Sequence, residues 1–276
     1  MAGPLQRFLA AFILIALTPG CHDRGEQPDQ QSEPAAPITP VINYAVIKYH
    51  NHDTSLYTEG LVFHESRLFE STGSPETDPS LRSMIGITDI TTGKFEMKVE
   101  LDRSKYFGEG IVFFGNKLYQ LTYRNKLGFI YDAKTFRQTG SFPYENKEGW
   151  SLTTNGTHLI MSDGTSTLTF IDPASQKPVR KLSVTLNGNP QDSLNELEWI
   201  RGYIYANVWI SPWVVKIDPA NGKVVGRIDM SSLVADAKNK NPRADVLNGI
   251  AYDSTTDKIY VTGKQWQNIY QIGFAH

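Results

Sequence analysis

The chain has 276 residues, of which 40% are hydrophobic and 20% are charged, so it can form one large globular domain or two small ones. The formal net charge is −2, and no long basic run occurs. Binding to nucleic acid requires a basic surface that neutralises phosphates, so we expect no nucleic-acid partner.

The first segment, residues 1–21, has the organisation of an export signal. Arg7 precedes the apolar stretch FLAAFILIALTPG, which is short for a membrane span and ends just before the only cysteine, Cys21. A lone cysteine after Gly20 resembles a bacterial lipoprotein signal, in which that cysteine is lipidated. An ordinary signal peptide that leaves Cys21 unpaired is the alternative. We therefore expect an exported bacterial protein, either periplasmic or held at the membrane only through a lipid on Cys21.

The next segment, residues 22–40, is rich in Pro, Gln, Glu and Asp and has one large apolar residue, Ile38. Such a composition cannot bury enough surface to offset the entropy lost on ordering. The sequence predicts a disordered tether over 22–40, followed by one catalytic domain over 41–276.

Five similar stretches follow the tether. Each opens with an acidic or amide residue, continues as an apolar strand, turns at Gly, Asn, Ser or Asp, and returns as a second strand. The stretches are TEGLVFHESRLFESTG, GEGIVFFGNKLYQLTY, KEGWSLTTNGTHLIMSDG, LNELEWIRGYIYANVW and LNGIAYDSTTDKIYVTGK. This pattern predicts five β-hairpins.

A third and a fourth strand follow each of the first four hairpins, which gives a repeat of about 47 residues. Four antiparallel strands per repeat are typical of a propeller blade, so we predict an all-β, five-bladed β-propeller. The alternative is that the repeats are only the ordinary turns of a large all-β protein. The last hairpin has one further strand, NIYQIGF, and we expect the N-terminal strand INYAVIKYH to close that blade.

The first strand of each blade lines the central channel of a propeller. The first positions of the five hairpins are therefore expected to meet at one end of the channel: Glu59, Glu109, Glu148, Asn195 and Asn248. Several carboxylates in one concave site raise the pKa of at least one of them, as general acid–base catalysis requires. The alternative role for each carboxylate is to accept backbone N–H groups and tie neighbouring blades together.

Aromatic residues and a lysine lie near the same strand ends. Trp150, Trp209 and Trp266 are candidates for pocket walls, and Lys264 adds a positive charge. Each tryptophan can instead be a core residue. There is no His cluster with metal-ligand spacing, no CxxC, no GxSxG and no phosphate-binding loop, so nothing supports a cofactor or nucleophilic serine or cysteine catalysis.

Seven ordered motifs resemble the glutaminyl-peptide cyclotransferases of the plant and bacterial type, over residues 44–274. They are FGEGI, EGWSLTTNG, SDGTSTL, LNELEWI, YANVW, DVLNGIAYD and VTGKQW. The resemblance implies a five-bladed propeller that cyclises an N-terminal glutamine to pyroglutamate and releases ammonia without a catalytic zinc.

The resemblance also assigns roles to individual residues. The acid–base carboxylate of the family falls on Glu109, and the oxyanion of the intermediate is expected near Lys264 or an Asn amide. The resemblance places Trp150, Trp209, Asn195 and Asn248 at the substrate. From their positions in the sequence we also expect substrate contacts from Glu59, Tyr123, Trp266 and Arg82, the last on a long polar loop that suits either a lid or plain surface. The expected partners are N-terminal glutaminyl peptides, and we expect a monomer without a metal.

The sequence departs from the family pattern at two of these positions. The family usually has Gln at the position of Glu59 and commonly Trp at that of Tyr123. A second carboxylate can raise the pKa of Glu109, alter the pH optimum or favour another substrate. Two other functions therefore stay open: a divalent-metal-dependent propeller hydrolase of the lactonase type, with carboxylate and amide ligands for calcium, and a non-catalytic peptide-binding propeller.

Overall fold

The computed structural model describes residues 38–276, which form five four-stranded antiparallel sheets. The first described strand is β1 (Tyr44–Asn51). Blade 1 consists of β2 (Thr58–His64), β3 (Arg67–Thr72), β4 (Met84–Thr88) and β5 (Phe95–Glu100). Blade 2 consists of β6 (Gly108–Phe114), β7 (Lys117–Thr122), β8 (Leu127–Asp132) and β9 (Gln138–Pro143). Blade 3 consists of β10 (Ser151–Thr154), β11 (Leu159–Ser162), β12 (Thr167–Asp172) and β13 (Lys177–Ser183).

The last two blades carry the additions to this plan. A small hairpin, β14 (Thr185–Leu186) and β15 (Asn189–Pro190), precedes blade 4. Blade 4 consists of β16 (Leu194–Ile200), β17 (Tyr203–Val208), β18 (Trp213–Ile217) and β19 (Val224–Asp229). The helix α1 (Ser231–Lys240) leads to blade 5, which consists of β20 (Leu247–Asp253), β21 (Lys258–Gly263), β22 (Asn268–Phe274) and β1.

The turn between the third and fourth strands repeats the same local chemistry in four blades. An aspartate ends the third strand or directly follows it, and its carboxylate accepts backbone N–H groups from the residues two or three positions later. The aspartates are Asp89, Asp132, Asp172 and Asp218. The residue four positions after each has a positive φ and is Gly93, Phe136, Gln176 or Gly222. Sequence thus fixes each turn locally, before any contact between blades.

The five inner strands, β2, β6, β10, β16 and β20, pack against one another around the axis, and β20 contacts β2 to complete the ring. Two buried carboxyl groups of β16 tie this ring together. Glu196 accepts N–H groups from Leu61, 3.1 Å away, and from Ile250, 2.8 Å away, and Glu198 accepts the N–H of Tyr252 at 2.8 Å. The buried carboxylates that accept backbone N–H groups across blades are therefore Glu196 and Glu198, which are not the first residues of the hairpins.

The predicted closure of the ring is confirmed. β1 pairs antiparallel with β22, from Tyr44 opposite Phe274 to Asn51 opposite Asn268. The chain reaches β1 along the edge of blade 4, where the N–H of Ile42 donates to the carbonyl of Arg227 at 2.7 Å. Because the first and last strands share one sheet, blade 5 has four strands like the other blades, and β1 covers the edge of β22.

The predicted signal segment, Cys21 and residues 22–37 of the predicted tether lie outside the described residues. Within residues 38–276, no helix is long and apolar enough to cross a membrane.

Candidate functional site

A cavity of about 150 Å³ opens at the end of the ring where β2 and β6 begin, and we call it the Glu109 cavity. All five blades contribute to its walls. The lining residues are Tyr57, Glu59, Pro75, Phe107, Glu109, Tyr123, Trp150, Asn195, Trp209 and Lys264. Seven of the ten sequence-predicted site residues thus meet in one place.

A register shift at the start of the inner strands directs side chains into the cavity. In β6 the pairing with β7 shifts between Gly108 and Ile111, so Glu109 lies within the bulge. The same shift occurs around Glu59 in β2 and Asn195 in β16. A bulge turns a side chain away from the regular alternation of a strand, and here it places polar groups at the axis.

The structure corrects one member of the predicted ring. A Cβ on Gly60 would meet Gly110 and Ile111 of blade 2, and a Cβ on Gly110 would meet Ser151 and Leu152 of blade 3. Gly110 and Ser151 are therefore equivalent, and the residues before them are Glu109 and Trp150. Trp150, not Glu148, is therefore the blade 3 equivalent of Glu109. Glu148 does not line the cavity; its carboxylate accepts the indole N–H of Trp150 at 3.0 Å and pairs with Arg124.

Glu59 is buried and fully engaged by its neighbours. Its Oε1 lies 2.6 Å from Lys264 Nζ, and its Oε2 accepts the side-chain N–H of Asn248 at 3.2 Å. Burial raises the pKa of Glu59 to about 7, although the charge of Lys264 opposes the rise. The ion pair joins blade 1 to blade 5 at the closure of the ring.

Glu109 lies in the same cavity but has different surroundings. Only 5% of the residue is exposed, and within residues 38–276 its carboxyl group has no hydrogen-bond partner. Burial raises its pKa well above the usual range, the negative charge of Glu59 raises it further, and Lys264 opposes both. A carboxyl group of this kind can exchange a proton near neutral pH.

Aromatic side chains form the rest of the wall. The ring centroids of Trp150 and Trp209 are 5.4 Å apart in an edge-to-face arrangement, and Phe107 lies 5.7 Å from Tyr123. Tyr123 is held by Arg124, which donates to its hydroxyl and lies over its ring. These walls favour a compact ligand with an apolar stem.

Lys264 is positioned from two sides. Its Nζ lies 4.6 Å from the ring centroid of Tyr57, whose hydroxyl donates to Asp245 at 3.0 Å. Trp266 packs against Gly263, where a Cβ would come within 2.3 Å of the indole, and donates its N–H to the carbonyl of Asp245. The loop that carries Lys264 is thereby fixed.

Three predicted site residues do not line the Glu109 cavity. Asn248 lies behind it and orients Glu59, because its amide donates both to that carboxylate and to the carbonyl of Thr58. Trp266 is completely buried in the core between blades 4 and 5, since its ring fills the space over Gly263. Arg82 lies on the surface, because Glu100 holds its guanidinium there in an ion pair.

Comparison with known proteins identifies the family. The model of the glutamine cyclotransferase family matches residues 20–274, nearly the whole chain. The chain belongs to the glutamine cyclotransferase family. It is 39% identical over 229 residues to the glutaminyl-peptide cyclotransferase of Arabidopsis thaliana, covering 82% of this chain and 70% of the relative. The crystal structure of Myxococcus xanthus glutaminyl cyclase matches with a TM-score of 0.75 and 34% identity, covering 85% of this chain and 98% of that one.

The prediction that the protein is an enzyme of the glutamine cyclotransferase family is thus confirmed. Three lining residues were not predicted from the sequence: Tyr57, Phe107 and Pro75. The first two each lie two residues before a glutamate of the ring, in YTEG and FGEG, so the repeat itself carried the signal. Pro75 lies on an irregular loop, where no periodic pattern could have indicated it.

The donor set of this glutamine cyclotransferase does not suit a cation at Glu59. Among residues 38–276, no three His, Cys, Asp or Glu side chains are grouped so that they could hold a metal ion. Both oxygens of Glu59 already have partners, Lys264 and Asn248, and a divalent cation would have to displace the ammonium group. The predicted alternative of a calcium-dependent hydrolase gains no support from these contacts.

Proposed function

We propose that this protein is a glutaminyl-peptide cyclotransferase, which converts the N-terminal glutamine of a peptide to pyroglutamate with release of ammonia. We further propose that Glu109 is its acid–base group and that the reaction needs no metal. The family supports the reaction, and one observation supports the role of Glu109: a buried carboxyl group with no hydrogen-bond partner among residues 38–276 lines a cavity with aromatic walls.

The reaction needs one proton to move between two nitrogens. The α-amino group attacks the side-chain Cδ of the same glutamine and loses a proton, and the amide nitrogen gains a proton before the C–N bond breaks. A single carboxyl group near both nitrogens can accept the first proton and donate it to the leaving ammonia. Glu109 is free of competing hydrogen bonds within the described chain and can therefore face both nitrogens.

The tetrahedral intermediate carries an oxyanion, which needs a fixed donor. Lys264 and the amide of Asn195 both line the cavity, and the lysine is held by Glu59 and by the ring of Tyr57. We propose that one of these two donors stabilises the oxyanion. The aromatic walls would hold the glutamine side chain folded towards its own amine, so that proximity supplies a large part of the rate.

The proposed reaction is tested by incubating the purified protein with a glutaminyl dipeptide and measuring ammonia together with the mass of the product. A parallel reaction contains a strong chelator, and a control uses the Nα-acetylated dipeptide, which lacks the attacking amine. We expect ammonia from the free dipeptide with and without chelator and none from the acetylated one. Release that stops with chelator would overturn the metal-independent mechanism, and no release by folded protein would overturn the proposed reaction.

A further inference from the structure

A second cavity adjoins the Glu109 cavity. Its volume is about 510 Å³, and it shares Pro75, Phe107 and Tyr123 with the Glu109 cavity. Its walls are the loops 74–76 and 103–107, which flank the start of blade 2, and the loop 123–125 within that blade. We call this cavity the basic groove. A ligand can therefore extend from Glu109 into the groove past the shared wall.

The size of the Glu109 cavity decides how much of a peptide it can hold. The volume of the Glu109 cavity is about 150 Å³, and the glutamine side chain has to occupy it in the proposed reaction. The residues that follow the glutamine must then lie outside this cavity. The basic groove shares three of its wall residues and offers about three times the volume.

The charges that face the groove are mainly positive. Three cationic side chains, Arg103, Lys105 and Arg124, line it together with one carboxylate, Glu76. Arg103 donates to the backbone carbonyls of three residues in the loop between β3 and β4 and forms no ion pair within residues 38–276. Its charge is therefore not neutralised by a carboxylate contact.

The other two cations are paired but exposed. Lys105 Nζ lies 2.8 Å from Asp102, and Arg124 Nε lies 3.0 Å from Glu148, with side-chain exposures of 66% and 70%. Exposed pairs of this kind typically contribute only about 0.2–1 kcal/mol. A carboxylate on a bound peptide can thus compete with Asp102 for Lys105, whereas the Arg124 pair is less open to competition because only 15% of the Glu148 side chain is exposed.

We propose that the peptide segment after the glutamine binds in the basic groove and that the enzyme prefers substrates with an acidic residue at the second or third position. This inference rests on the proposed function, because it places the glutamine beside Glu109. Lys105 would be a specificity residue that contacts the substrate carboxylate, and Arg103 would supply a fixed positive field.

The test compares kcat/KM for Gln-Ala-Ala-Ala, Gln-Glu-Ala-Ala and Gln-Ala-Glu-Ala with that for the two peptides in which Lys replaces Glu. We expect one acidic peptide to exceed the neutral peptide by about threefold to fivefold at low salt, and its Lys counterpart to fall below it. In Lys105→Glu this order should disappear or reverse.

Lys134→Glu is the matched control, because it makes the same change in charge on an exposed turn between β8 and β9. That turn lies at the end of blade 2 opposite the Glu109 cavity, since successive strands run in opposite directions. Equal rates for acidic, neutral and basic peptides would overturn the inference. The inference would also be overturned if the charge preference changed by the same amount in Lys105→Glu and in Lys134→Glu.

Peptide affinity for Glu109→Gln, measured by calorimetry, separates this inference from the proposed function. Preferential binding of the acidic peptide without turnover by the wild-type protein would reject the proposed reaction and retain the groove. Turnover without any charge preference in rate or affinity would reject the groove and retain the reaction.

Discussion

The two buried carboxyl groups of the Glu109 cavity differ in their partners, and this difference separates their roles. Glu59 is held by Lys264 and Asn248, whereas Glu109 has no side-chain partner within residues 38–276. Glu59 therefore acts on Glu109 through charge. Its negative charge disfavours ionisation of Glu109, and its ion pair keeps Lys264 from stabilising the ionised form fully.

Replacing Glu59 with Gln should lower the pKa of Glu109. The substitution removes a like charge and leaves Lys264 free to stabilise the Glu109 carboxylate, and both effects act in the same direction. The acidic limb of the pH profile of kcat/KM should therefore shift to lower pH. The profile of Glu59→Gln would contradict this explanation if the limb stayed in place or moved upward.

Trp209 and Trp266 were predicted together as wall residues, but their environments now predict different effects. Trp266 is completely buried, whereas 42% of Trp209 is exposed. Trp266→Ala should cost about 3–5 kcal/mol of unfolding free energy, as large buried aromatics do. Trp209→Ala should raise KM and leave the free energy of unfolding nearly unchanged. Denaturant unfolding measures the free energy of unfolding of the two variants, and steady-state kinetics measures KM. Equal losses of stability in the two variants would contradict this contrast.

At the scale of the element, β1 has the clearest structural role. It supplies the fourth strand of blade 5 and covers the edge of β22, where Tyr270 and Ile272 are buried. An uncovered edge exposes unpaired backbone groups and promotes aggregation.

Removing β1 should lower the stability of the fold far more than removing the residues just before it. A chain that begins at His52 should lose its cooperative thermal transition or aggregate, whereas one that begins at Asn43 keeps β1 and should lose only the contacts to blade 4. For both shortened chains, circular dichroism measures the thermal transition and light scattering measures aggregation. A cooperative transition in the shorter chain at the temperature of the longer one would show that β1 is not needed for closure.

The sequence predicted the blades, their strands and the closing strand because these follow from alternation and turn residues, which are local. It misplaced the blade 3 member of the ring for a physical reason. Glu148 and Trp150 are two residues apart, and a shift of two leaves a residue on the same face of a strand, so alternation cannot distinguish them. Only the packing of neighbouring inner strands, which places Gly110 against Ser151 and Leu152, settles the register. Glu196, which ties distant strands together, likewise depends on contacts that no local pattern contains.

At the scale of the whole molecule, a buried ion pair lies at the closure of the ring. His52 follows β1 and joins Glu70 of blade 1 to the carbonyl of Trp266 in blade 5. Its Nε2 is 3.1 Å from both oxygens of Glu70, and its Nδ1 is 2.8 Å from that carbonyl. Both partners can only accept from it, so both ring nitrogens carry protons. Burial lowers the pKa of His52, but the charge of Glu70 and the hydrogen bonds outweigh burial and raise it.

This pair should make stability depend on pH. The pKa of His52 is higher in the folded protein than in the unfolded chain, so the ion pair contributes its full stability below about pH 6.5. This contribution is lost as the pH rises through the folded-state pKa of His52. Breaking the pair with His52→Gln should cost about 3–5 kcal/mol at pH 6. The stability difference between wild-type protein and His52→Gln/Glu70→Gln should shrink between pH 6 and 9, as measured by denaturant unfolding. A constant difference would mean that His52 is not charged.

The central claim is that one carboxyl group, Glu109, carries the proton in a cyclisation reaction. The most direct test is single-turnover release of ammonia from a glutaminyl dipeptide by wild-type protein and by Glu109→Gln, with unchanged unfolding of the variant as the control for its fold. We predict a loss of about 10²–10⁴-fold in the rate, with peptide binding retained. A folded Glu109→Gln protein that releases ammonia at the wild-type rate would contradict the claim.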